Sequence, residues 1–296
     1  MIIGVDLGNF SVKTSEKERF ISKISEGENF TGENTFILDN GKYTVGEGEF
    51  ITDWNKSRKE NTIQMLYYAL GKSTTDDFNQ VVLGLPIQQY KKEKDTLKRL
   101  IMDNRSKEIT IDNETRNIFI TDIEVAPEGA AAYYNLDLET KKLIGRKQLL
   151  IIDIGGRTTN VCLFKEKKIK EVITIAVGML NIYQDIVNYV NTEYIESFKL
   201  EDGEVILNEG LFLNGKQQDR SFIKPILQRH FNSIWKEIQL KFNTALGYVL
   251  LTGGGSLILG KAFKNRLEDN LIISKNPIYD NALGFKKVGE ALWLES

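Results

Sequence analysis

Short apolar runs that end in glycines alternate along this chain with longer stretches in which apolar residues recur every three or four positions. Residues 2–6 form a brief apolar run closing on Asp6, and Gly8, Asn9 and Ser11 follow. The same design returns at residues 149–153, which close on Asp153 before Gly155, Gly156, Thr158 and Thr159. In both places apolar residues then resume, with Phe10 and Val12 in the first and Val161, Leu163 and Phe164 in the second. The pattern predicts strand, tight glycine turn, strand, twice over. The two aspartates are 147 residues apart (153 minus 6), about half of the 296-residue chain. That spacing implies two related domains rather than a short-period repeat.

The stretches between these turns follow the same alternation. Residues 79–86 read as a buried strand running into a turn, and 89–103 as a helix with Tyr90, Leu97, Leu100 and Ile101 on one stripe. Pro127 and Ala130–Ala132 predict a helix opening near residue 127. Residues 181–198 carry Ile182, Ile186, Val190 and Tyr194 at a spacing of four, and 226–242 carry Phe231, Ile234, Trp235 and Ile238. A further strand then enters Gly253, Gly254 and Gly255. Strands alternating with helices make the fold class α/β. The polar, less regular segments at about 15–60 and 200–224 read as smaller elaborations, one in each half.

Composition narrows the function. Hydrophobic residues make up 41%, enough for packed cores throughout, and 39 basic against 41 acidic residues leave a net charge of −2. That balance gives no global electrostatic reason to bind nucleic acid or an anionic membrane. One cysteine, Cys162, rules out an intrachain disulfide and fits a reducing cytosol. The one histidine, His230, lies in a helical stretch, which argues against Ser-His-Asp, Cys-His and His-rich metal chemistry. No signal-peptide pattern opens the sequence, and no apolar run approaches the ~18 residues of a membrane span. A cytoplasmic protein is expected.

The turns suggest phosphate chemistry. Glycine lets backbone N–H groups approach a phosphate closely, and Asn and Ser add side-chain donors. Gly8, Asn9, Phe10, Ser11 and Lys13 form the first candidate set, and Gly155, Gly156, Arg157, Thr158 and Thr159 the second. Taken alone, the first turn also reads as a plain hairpin with a solvated aspartate; two such turns together favour a polyphosphate gripped from both sides. An aspartate repels phosphate but holds Mg²⁺, usually through waters, so Asp6 and Asp153 are the candidate metal ligands. Gly253, Gly254, Gly255 and Ser256 leave a bare surface for a nucleoside. Glu128 is the candidate for orienting water, at a predicted helix start, and with Asp6 and Asp153 completes the candidate catalytic set. Residues 255–262 nearly spell a P-loop, but the final Ser/Thr is absent and residues 257–259 read as helix core, so that assignment is rejected.

In this order, the pieces resemble the actin/Hsp70/sugar-kinase superfamily over nearly the whole chain. Residues 3–13 look like its first phosphate loop, 150–160 its second, 249–256 its adenosine segment, 125–132 its first connecting helix and 281–285 its second. Within the superfamily the chain is most similar to the bacterial plasmid-segregation actins, the ParM/StbA-like group, in "YTVGE" (43–47), "NTIQMLYYALGK" (61–72), "VVLGLP" (81–86) and "NPIYDNALGFKKVGEAL" (276–292). The first loop departs from the group's pattern, with Asn9 ahead of Ser11.

The resemblance implies an actin-like fold of two related domains, each a mixed sheet with flanking helices, around a nucleotide cleft. Domain I would take residues 1–148, rejoined by 282–296, with the connecting helix near 127–135; domain II would take 149–281. It implies ATP (or GTP) with Mg²⁺, hydrolysis coupled to a homopolymeric filament, and plasmid DNA reached through a small DNA-binding adaptor at a centromere-like site, with no direct DNA contact and no membrane. A cell-shape actin of the MreB kind would be expected to carry an apolar amino-terminal anchor or loop, whereas Met1-Ile2-Ile3 leads straight into the first strand. A small-molecule kinase of the superfamily would need a sugar-binding constellation, and none is visible.

Overall fold

The computed structural model describes residues 1–50 and 59–294. The first half supplies β1 (Ile2–Leu7), β2 (Ser11–Thr14), β3 (Arg19–Ile21), β4 (Lys23–Glu26), β5 (Thr35–Leu38), β6 (Gly41–Phe50), β7 (Phe78–Leu85), β8 (Ser106–Ile111) and β9 (Glu114–Pro127). These form one sheet in the order β3-β2-β1-β7-β9-β8-β5-β6-β4. Its helices are α1 (Thr62–Ser73) and α2 (Ile87–Asp103), followed by the short α3 (Ala131–Asn135) and α4 (Leu138–Ile144). The second half supplies β10 (Gln148–Ile154), β11 (Thr159–Lys165), β12 (Lys168–Ile175), the hairpin β13 (Phe212–Leu213) and β14 (Lys216–Gln217), β15 (Gly247–Thr252) and β16 (Leu271–Ile273). Apart from the hairpin they pair in the order β12-β11-β10-β15-β16. The helices of this half are α5 (Met179–Tyr194), α6 (Asp202–Asn208), α7 (Ile223–Lys241) and α8 (Ser256–Leu267), and α9 (Asp280–Trp293) closes the chain.

The repeat in the sequence is a repeat in space. β1 pairs antiparallel with β2 and parallel with β7; β10 pairs antiparallel with β11 and parallel with β15. Asp6 lies opposite Lys13 in the first hairpin, and Asp153 opposite Asn160 in the second. Every residue of β10 is buried, as expected of a central strand covered on both faces. The predicted stripes hold: Ile182, Ile186 and Val190 of α5 meet Ile234, Trp235 and Ile238 of α7 in the core of the second half.

α9 returns to the first sheet. At Gly4 of β1 a Cβ would stand 2.1 Å from the Ala282 carbonyl oxygen, and at Gly284 one would stand 2.1 Å from that of Ala131. Glycine at both positions lets α9 press against β1 and cross α3 with almost no gap. No helix among the described residues is long and apolar enough to cross a membrane.

Several expectations need correcting. Pro127 ends β9 instead of opening a helix, because residues 125–127 pair with Leu83–Leu85 of β7 and the Glu128 N–H donates to the Leu85 carbonyl. A turn with Gly129 at φ +74° follows, and α3 starts only at Ala131. Residues 257–259 are helical, as the rejection of a P-loop requires, but Leu257 is exposed and only Leu259 is fully buried. The segment at about 15–60 supplies β3–β6, which extend the first sheet; its residues 51–58, like residues 295–296 of the terminal segment, lie outside the described residues. His230 has a structural partner, its Nε2 standing 2.5 Å from Asp185 Oδ2, which Arg229 also reaches.

Phe10 is the largest departure from the sequence reading. It is buried in the core of the second half, with ring centroids 5.4 Å from Tyr183 and 5.7 Å from Phe50. The reason is the apolar surface that α5 presents to the first turn, which outweighs any value of an aromatic ring beside phosphates. Phe10→Ala is expected to cost about 3–5 kcal/mol of folding stability, read from denaturant unfolding. A variant as stable as the parent would return Phe10 to the surface of the cleft.

Candidate functional site

Two strand tips carry the site. β1 and β10 each end in an aspartate that is almost buried, Asp6 at 6% and Asp153 at 5% exposure. Both face a pocket of about 50 Å³. The first turn lines it with Gly8, Asn9 and Lys13, the second with Gly155, Gly156, Arg157 and Thr158, and the third with Gly253 and Gly254. Glu128, 7% exposed, enters from the turn after β9.

Close backbone approach explains the glycines. A Cβ at Gly253, which has φ +79°, would stand 2.4 Å from Asp153 Oδ1, so the third turn fits only without a side chain. At Gly156 it would stand 2.7 Å from the Cβ of Phe10, so the turns from the two halves are in contact.

The other sequence candidates have side chains engaged elsewhere. Ser11 lies within β2, with Arg19 Nε 3.5 Å from its hydroxyl. The Thr159 hydroxyl donates to the Val177 carbonyl at 2.8 Å, and that of Ser256 to the Gly253 carbonyl at 2.7 Å. Gly255 lies against Ile154, which a Cβ would meet at 2.2 Å; its role is packing of β10 against the start of α8. None of these, nor Phe10, lines the pocket.

The electrostatics are unbalanced in a specific way. Burial pushes the Asp153 carboxyl up to about 7; a hydrogen bond from Asn281 opposes the rise, and the charges of Asp6 and Glu128 add to it. Lys13 Nζ stands 3.7 Å from Asp6 Oδ2 and partly offsets the negative charge around Asp153. Buried like charges favour a bound cation. Among the described residues no group of three or more His, Cys, Asp or Glu is arranged to hold a metal directly. Two hard carboxylate oxygens with space beside them fit Mg²⁺, which keeps most of its waters.

Three contributors were not on the sequence list. Asn160 lines the pocket from the position that Lys13 holds in the first hairpin, and the register of the two hairpins would have found it. Asn281 donates to Asp153 Oδ2 at 2.9 Å from 128 residues away. Lys59 Nζ donates to Asn9 Oδ1 at 2.6 Å. The 281–285 segment was marked only by resemblance and Lys59 not at all, because α9 and Lys59 reach the site only through the tertiary fold.

A larger cavity of about 820 Å³ adjoins the pocket and shares Asn9 and Arg157 with it. Lys23 and Glu201, the residue before α6, line this space and pair at 2.7 Å; a second pair between the halves joins Arg19 to Glu204 of α6 at 2.9 Å.

With the geometry in place, comparison with known proteins is direct. Residues 4–130 match the family model for the N-terminal domain of actin-like proteins, and residues 151–265 match that for the C-terminal part of archaeal, MreB-like actin homologues. No curated protein matches the chain by sequence. Among solved structures, the archaeal actin homologue Ta0583 superposes with a TM-score of 0.82 at 20% identity, over 98% of this chain and 99% of that one. A 15-stranded ParM filament from Clostridium botulinum superposes with a TM-score of 0.83 at 23% identity, over 98% of both chains. Ta0583 has also been solved in complex with ADP, and that structure superposes with a TM-score of 0.81 at 19% identity over 98% of this chain and 99% of its own. A two-domain α/β fold shared along the whole length, with family models matched in both halves, makes this chain a member of the actin-like proteins.

Proposed function

We propose that this chain is a nucleotide-dependent, filament-forming ATPase that segregates plasmid DNA through an adaptor. The observation that carries the reading is one buried pocket in which glycine turns from the two halves surround Asp6, Asp153 and Glu128. Catalysis of phosphoryl transfer is mostly positioning and charge stabilisation, and this pocket offers both.

In this reading the backbone N–H groups of Gly8 and Gly156 cradle phosphate oxygens, the Gly155 N–H closes its own turn on the Thr158 carbonyl at 2.9 Å, Asn9 and Thr158 add donors, and Lys13 adds a cation. Asp6 and Asp153 would hold Mg²⁺, and the ion would supply neutralisation of phosphate charge. Glu128 orients the attacking water and accepts its proton as the oxygen bonds to the terminal phosphorus and the nucleoside diphosphate leaves. ATP is the proposed nucleotide, with GTP as the alternative. The pocket of about 50 Å³ adjoins the cavity of about 820 Å³ and shares Asn9 and Arg157 with it, so a nucleotide in this reading would extend from one into the other.

Assembly into filaments is supported by the fold shared with the ParM filament, and nucleotide binding by the ADP complex of Ta0583. Plasmid partition rests on the motif resemblance at residues 43–47, 81–86 and 281–285, and the net charge of −2 agrees with DNA reached through a small DNA-binding adaptor. A cytosolic location goes with that role. The archaeal, MreB-like match in the second half favours a second reading, a cytoskeletal filament without a DNA partner. Loss of plasmid inheritance on deleting the gene separates the two.

Light scattering on adding ATP and Mg²⁺ tests assembly: growth of large particles is expected, and an unchanged signal with either ATP or GTP would contradict filament formation. Glu128→Gln is expected to bind nucleotide normally and hydrolyse it roughly 10²–10⁴-fold more slowly, giving longer-lived particles. Phosphate release at the parent's rate would remove Glu128 from this role.

A further inference from the structure

Asn281 stands in the first turn of α9 and makes two hydrogen bonds to two parts of the site. Its Nδ2 donates to Asp153 Oδ2 at 2.9 Å, and its Oδ1 accepts the Gly129 N–H at 2.9 Å. The amide's orientation follows from its partners. A peptide N–H can only donate, so Oδ1 faces Gly129 and the NH₂ is left for the carboxylate. One planar group therefore sets the distance between the strand-tip carboxylate and the turn that carries Glu128.

The helix that presents Asn281 is itself fixed. Ala282 lies against Gly4 of β1, and Gly284 against Ala131 of α3. The neighbouring Asp280 makes a parallel pair of bonds directed away from the pocket. It accepts from the Thr252 hydroxyl at 2.6 Å and from Asn135 Nδ2 at 2.6 Å. Two adjacent residues thus tie α9 to the same strand-end region, but only Asn281 touches the candidate chemistry.

We propose that Asn281 is a positioning residue of the nucleotide reaction: it holds the Asp153 carboxylate and the Glu128 turn in register, so that both are correctly placed only while α9 is seated on the first sheet. The inference rests on the nucleotide reading above. Asp153 bonded on one oxygen is turned to present the other, and the turn after β9 cannot drift without straining the same amide. Carboxylate orientation is thereby tied to the seating of the helix that joins the halves.

The test compares Asn281→Ala and Asp280→Asn with the parent, measuring turnover, nucleotide affinity with and without Mg²⁺, and thermal unfolding. Partners that orient a metal ligand typically contribute 10–100-fold. Asn281→Ala is expected to lose about that much in kcat, to keep Mg²⁺-free nucleotide affinity, and to lose most of the affinity gained on adding Mg²⁺. Asp280→Asn is expected to unfold at a lower temperature while keeping kcat and the Mg²⁺ effect. Should alanine unfold the chain, Asn281→Ser is read in the same way, since it adds no charge and is too short to bridge Asp153 and Gly129. Parent-like turnover and Mg²⁺ dependence in the Asn281 variant would overturn the proposal, as would equal losses in the Asp280 variant. A parent chain that binds no nucleotide overturns the functional reading and this proposal together.

Discussion

Asp153 is a carboxylate at the end of a fully buried strand, next to the charges of two other carboxylates, and its ionisation is opposed by that burial and by those charges. A protein core gains nothing from such an arrangement. Hydrophobic side chains of similar size at these positions would be expected to serve folding as well or better. The arrangement makes sense as a site held ready for positive charge. Much of the surrounding structure serves it: two hairpins end in glycine so that backbone can approach, a third glycine turn passes the Asp153 carboxylate without a side chain, and Asn281 offsets part of the burden with a hydrogen bond.

Joining the halves is the second requirement, because each supplies only one of the two strand-tip aspartates. Phe10 leaves the first turn to enter the core of the second half, and Gly156 makes room for it. α9 closes the chain on β1 and crosses α3, bringing Asp280 and Asn281 to the ends of β15 and β10. Ion pairs to Glu201 and Glu204 also join the first half to the second, the former at the wall of the larger cavity. Contacts at the base are apolar or buried; of these pairs, Arg19–Glu204 is partly exposed on both sides and so weak, whereas Lys23 is itself buried.

Much of this was legible in the sequence. Aspartate followed by glycines after an apolar run gave both hairpins, and spacing of three and four gave the buried faces of α5 and α7. A single histidine in a helical stretch was enough to set histidine chemistry aside. Local signals failed where a distant partner decided the outcome. Pro127 and the alanines after it read as a helix start, yet pairing with β7 keeps residues 125–127 extended. Phe10 stood among phosphate donors, and its true neighbour, Tyr183, lies far along the chain. Thr159 and Ser256 look like ligands in a list of donors; a carbonyl only the fold brings near occupies the first, and local turn geometry the second. Asn281 stood in the 281–285 segment marked by resemblance, but its bond to Asp153 exists only once α9 has returned to the first sheet.

If Asp153 is a charge the fold tolerates for the sake of a metal-bound nucleotide, removing that charge should help the empty protein and harm the loaded one. Thermal unfolding of Asp153→Asn beside the parent, with and without Mg²⁺ and ATP, measures this directly. A higher unfolding temperature for the nucleotide-free variant is predicted, together with stabilisation by Mg²⁺ and ATP that the parent shows and the variant lacks. A variant less stable than the parent when empty, yet equally stabilised by Mg²⁺ and ATP, would contradict the account.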